Sequence, residues 1–171
     1  MTMFMQTALH IPPIKAGLVF VPLTVTFVVA SRLSSVRAKH RGTLVLIEGC
    51  AIQIAGLAVL ALTVAFVPVP SALMLALILM IFGYGQGLVM APLSGVVLSS
   101  VKPASAGSGS GMYGTTAQIA NAAGVAAIGA VFFSVEEAHA AQAALFVSIV
   151  LFALSIMTSA VLLSWMRRAS A

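Results

Sequence analysis

Five runs of apolar residues separated by short polar gaps organise this chain. They cover residues 16–31, 44–67, 73–98, 112–135 and 140–165. A helix that crosses a bilayer needs about 20 mostly apolar residues. The last four runs meet that length; the first is shorter and has Pro22 inside it. Outer-membrane barrels alternate polar and apolar positions over segments of about ten residues, and these runs are continuous and far longer. The pattern therefore predicts an all-α, polytopic membrane helix bundle of about five transmembrane helices. Residues 1–10, which precede Pro12-Pro13, read as the tail of an earlier helix. The expected organisation is one unit over residues 1–171, the C-terminal transmembrane part of a larger protein.

Composition agrees with the pattern. The chain is 61% hydrophobic and 6% charged, whereas a soluble domain carries about 25% charged residues. So few charges cannot cover a water-facing surface, which makes the lipid bilayer the expected partner of most of the chain. The formal net charge of +5 could suggest nucleic acid. No helix carries a stripe of Arg and Lys interleaved with aromatics, so a nucleic-acid partner is rejected. The basic residues sit instead in alternate gaps. Arg32, Arg37, Lys39 and Arg41 follow the first run, Lys102 follows the third, and Arg167 and Arg168 follow the fifth. Only Lys15 lies on the other side. Excess Lys and Arg mark cytoplasmic segments, which places the N-terminus outside and the C-terminus in the cytoplasm of a cell inner (plasma) membrane.

Polar groups inside a membrane are costly unless paired, and so mark functional positions. Gln86 falls near the middle of the third run, and Gln118 and Asn121 lie three residues apart on one side of the fourth. These three amides are the candidate substrate-binding residues, with interhelical hydrogen bonding as the competing role. Glu48 is the one acid within a run. It is a candidate for proton coupling, or for an ion pair with Arg41 or Lys39 near the membrane surface. Gly83 and Gly87, four residues apart, permit close helix packing, and Pro92 one turn later can bend the helix. The stretch Gly107–Gly111 could be a flexible connector, but it runs on into a Gly, Ala, Ser and Thr face that predicts a tightly packed helix at a moving interface. The lone Cys50 in an apolar run reads as a packing residue. His10, His40 and His139 are dispersed, and no nucleophile stands beside a base. No metal, cofactor or enzymatic activity is expected.

Several ordered motifs resemble drug:proton antiporters with fourteen spans, a family of the major facilitator superfamily. Phe4-Met5-Gln6 followed by Ala16-Gly17-Leu18-Val19-Phe20-Val21-Pro22 resembles their "YLQ … AGL.FLP" stretch. Gly83-x-Gly85-x-Gly87-Leu88 with Ala91-Pro92-Leu93 resembles "G.G.GL…PL". Ala106 to Gly111, followed by Thr115-Thr116-Ala117-Gln118 and Gly124-Val125-Ala126, resembles "AG.ASG..NT.RQ.G.A.G.A". The chain departs from the last motif at two places, with Ala117 where the family has Arg and Thr115 where it has Asn. The resemblance covers nearly the whole chain in order and implies spans ten to fourteen of such a transporter. It implies proton-coupled efflux of hydrophobic or cationic drug-like compounds by the full-length parent, whose N-terminal half would be the partner of this part. The small-molecule substrate would bind between the halves, so this part alone is expected to be inactive. The alternative is a small structural membrane subunit that packs with a partner and transports nothing.

Overall fold

The computed structural model describes residues 12–42, 44–67, 70–99, 101–138 and 141–169. The expected tail at residues 1–10, including Phe4-Met5-Gln6, lies outside the described residues, as does His139. Among the described residues every regular element is helical, and the chain is a multi-pass helical membrane bundle. The helices are α1 (Pro13–Leu18), α2 (Val21–Arg41), α3 (Leu44–Phe66), α4 (Ala72–Ser99), α5 (Ala106–Ala138) and α6 (Ala141–Ala169). A 3-10 turn, Pro103–Ser105, leads into α5.

Four helices, α3 to α6, are long and apolar enough to cross a membrane. The first expected span is different. It is divided at Val19-Phe20, because Pro22 has no N–H to donate to the carbonyl of Leu18 and stands in the first turn of α2 instead of inside a helix. The Phe20 N–H bonds the Gly17 carbonyl at 3.0 Å, which carries the chain through the break. α2 then continues through Arg32, Arg37 and Lys39 to Arg41, so the expected basic gap is helical and not a loop. Gly42 ends it in the left-handed region, at φ 53°, with its N–H on the Ala38 carbonyl at 2.9 Å.

Two other helices also run past the apolar residues. α5 begins at Ala106, so Gly107–Gly111 are helical and not a flexible connector, and it ends at Ala138. α6 includes Arg167 and Arg168. Lipid supplies no hydrogen-bond partners, so backbone groups are satisfied within the helix, and it can continue into the polar zone beyond. At 33 residues, α5 is about 50 Å long, well over the roughly 30 Å hydrocarbon core.

The helices form an open row. α4 packs against both α2 and α3, α3 against α6, and α6 against α5, while the consecutive pair α2 and α3 barely touch. The order across the row is therefore α2–α4–α3–α6–α5. The main apolar core runs along it through Leu57, Val64, Leu75, Leu79, Leu145 and Ile149. A smaller core of Ala30, Val45 and Leu88 lies nearer the Gly42 turn.

Glycines set the central spacing. A Cβ on Gly83 would lie 2.5 Å from the Leu23 carbonyl of α2, and one on Gly87 would collide with the Phe27 carbonyl. A Cβ on Gly85 would meet α3 instead, 2.8 Å from both the Gly49 carbonyl and the Gln53 nitrogen. Positions 83 and 87 thus seat one neighbouring helix and position 85 the other. Two hydroxyls bond across the α2–α4 seam. Thr26 Oγ1 lies 3.1 Å from the Met80 carbonyl, and Ser34 Oγ lies 3.3 Å from that of Gly87. Lipid tails are as apolar as leucine, so such close packing, more than hydrophobic burial, holds helices together here.

Candidate functional site

The three candidate amides do not converge within this chain. Gln86 lies on α4 and is half-buried, one residue beyond the glycine that packs on Gln53. Gln118 and Asn121 lie on α5, at the far end of the row, and both are exposed. Among the described residues none of the three makes a side-chain hydrogen bond. Interhelical amide bonding is thus absent at all three positions within the described chain.

Of the four membrane-length helices, α5 is the least packed. Only 6% of its membrane-length stretch is buried, against 50% for α3. Every residue from Gln118 to Ala127 is exposed, and a Cβ at Gly111, Gly114, Gly124 or Gly129 would meet nothing within 4 Å. The tight packing expected of this Gly/Ala/Thr-rich helix is therefore not provided by the other described helices. Among the described helices its one substantial neighbour is α6, against which Phe132 is buried towards the C-terminal end. The middle of α5 leaves an amide pair and a small-residue surface facing outward. In hydrocarbon that arrangement is unfavourable, because the amides would lose water without gaining partners.

Glu48 takes a different place. Its Oε1 lies 2.9 Å from Nη1 of Arg41, across the turn at Gly42 that joins α2 to α3. The two side chains are 39% and 62% exposed. At that exposure an ion pair contributes at most about 1 kcal/mol, so its role is to fix the α2–α3 turn more than to hold the bundle together.

Gln53 was missed by the sequence reading. It is 7% exposed, the most enclosed amide among the described residues, and its backbone and Cγ touch Gly85. The signal was the one that picked out Gln86, an amide in the middle of an apolar run. Gln53 and Gln86 stand at one level on neighbouring helices. On the other side of α3, an apolar groove of about 230 Å³ opens against α6 between Ile54, Ala58, Ile149 and Ala153. It contains none of the candidate residues. No family model, curated protein or solved structure matches the chain.

Proposed function

We propose that this chain is the C-terminal transmembrane part of a major-facilitator transporter of the fourteen-span drug:proton antiporter kind. The observation that carries the reading is the outward polar and small-residue surface of α5. Gln118 and Asn121 need either water or partner groups, and the glycines around them leave room for other helices to approach closely. A transporter built from two halves supplies both, since its substrate cavity lies between them near the middle of the membrane. The ordered motifs of α4 and α5 support the same assignment. In it, Gln118 and Asn121 line the substrate path from one side, and Gln86 lines it from α4. The substrate is a hydrophobic or cationic small molecule expelled at the expense of a proton gradient across the plasma membrane. Glu48, held by Arg41, is an ion-pair residue at the membrane surface in this scheme.

The same surface would also suit a structural subunit, so the test must read transport. The protein is purified from native membranes together with the helices that cover α5 and is reconstituted in liposomes. The expected result is export of a cationic dye when a pH gradient is imposed, slowed in Gln118→Leu and in Asn121→Leu. An assembly that moves no dye under any gradient would defeat the transporter reading in favour of the structural subunit.

A further inference from the structure

The C-terminal end of α2 carries a shallow, open depression. Val36, Arg37, His40 and Arg41, all exposed, line about 370 Å³ there. Their positions, i, i+1, i+4 and i+5, fall on one face of the helix. Arg37 and His40 are exposed, and among the described residues neither has an ion-pair partner. Arg41 has one partner, Glu48, through a single nitrogen. A guanidinium has five N–H donors, so this bond orients the group and leaves donors free. Among the described residues Glu48 is the only carboxylate paired there, against two guanidiniums.

Depth adds a second constraint. The turns of α2 before the depression present Val25, Val28, Val29 and Leu33 outward. The membrane helix α3 starts at Leu44, just past the Gly42 turn. The depression therefore lies where the apolar surface ends, with Val36 at its edge and cationic donors beside it. Basic pockets at that level attract anionic headgroups. A free anion would gain nothing from Val36, whereas a lipid places its glycerol and upper acyl carbons there. We propose that this basic depression at the membrane surface binds the phosphate of an anionic lipid headgroup, with Arg37 and Arg41 as the charged donors, a ring N–H of His40 as a third, and Glu48 positioning Arg41.

The full chain, stripped of lipid in a non-ionic detergent, is titrated separately with phosphatidylglycerol, phosphatidylcholine and inorganic phosphate, and bound molecules are counted by native mass spectrometry. Phosphatidylglycerol is expected to bind at least about tenfold more tightly than phosphatidylcholine, as two interfacial charges would give. Arg37→Gln should weaken it about fivefold, the worth of one such charge. Arg32→Gln, which alters an exposed charge outside the depression, should change it by less than about twofold. Equal affinity for the two lipids would overturn the site. So would equal losses in Arg37→Gln and Arg32→Gln, which would reduce it to diffuse surface charge. Displacement of phosphatidylglycerol by inorganic phosphate at matching concentrations would assign the depression to a free anion and overturn the lipid source. Circular dichroism checks each variant for helix content. Should Arg37→Gln lose it, Arg37→Lys decides the matter, because it keeps the charge and must keep lipid binding within about threefold.

Discussion

At Gly85 an added methyl group would sit 2.8 Å from two backbone atoms of α3, and at Gly124 it would meet nothing within 4 Å. The same substitution should therefore have opposite outcomes at the two positions. Gly85→Ala forces α3 and α4 apart and is expected to cost about 1–3 kcal/mol, the usual range for overpacking. Gly124→Ala adds helix propensity without a clash and is expected to be neutral, or stabilising by up to about 1 kcal/mol. Unfolding of the isolated chain in mixed micelles measures both, and equal losses would show that α5 is packed in a way the structure does not contain. Glu48→Gln belongs at this scale too. It removes an exposed ion pair and should lower stability by less than about 1 kcal/mol in the same assay. Small residues at four-residue spacing were legible as packing positions. That Gly83 and Gly87 seat α2 while Gly85 seats α3 was not, because the sequence does not say which neighbour each face meets.

Hydropathy marks where lipid is, and hydrogen bonding marks where a helix stops; the two coincide for some elements and part for others. They coincide for α3 and α4, expected at 44–67 and 73–98 and observed at Leu44–Phe66 and Ala72–Ser99. Both are bounded by Pro, Gly or Ser close to where the apolar residues end. They part for α2, α5 and α6, whose helical hydrogen bonding continues through basic, Gly/Ser-rich or acidic turns. The candidate site divides in a similar way. Gln86, Gln118 and Asn121 are recognisable as intramembrane amides from sequence, but their separation depends on the order of the helices, and apolar residues on every face leave that order unmarked. For α5 the exposure makes a definite prediction. Gln118→Leu combined with Asn121→Leu should leave the unfolding midpoint of the isolated chain unchanged to within about 0.5 kcal/mol. Thr26→Val, in the α2–α4 seam, should cost about 0.6 kcal/mol, typical of an interhelical hydrogen bond in a membrane bundle. A large loss from the α5 double variant would mean that those amides are already partnered.

The whole molecule turns on how many times it crosses the membrane. Helices α3 to α6 are each long and apolar enough to cross, and four crossings return the chain to the side it started from. On that account Arg41, Lys102 and Arg167-Arg168 all lie on one side, as the excess of Lys and Arg at cytoplasmic ends requires. This alternation holds whether or not α1 and α2 add a fifth crossing. α2 alone has 21 residues, about 31 Å of helix and enough to span the core. Its C-terminal half, however, carries four basic residues, and a Lys or Arg at the membrane centre costs roughly 2.5–3.5 kcal/mol. A crossing is favourable only if those charges, the Arg41–Glu48 pair among them, sit at the surface and the membrane is filled from the other side by α1 and the first turns of α2. Residues 16–31 are free of charge up to Ser31, so five crossings are expected, with the break at Val19-Phe20 inside the membrane. Reporters fused after Gly42, at Lys102 and at the C-terminus should all read as cytoplasmic. Reporters at Ser71 and Ala138 should read as external. A reporter placed before Pro12 decides the count: an external signal supports five crossings, and a cytoplasmic signal would leave α1 and α2 lying along the inner surface, with only α3 to α6 spanning the bilayer.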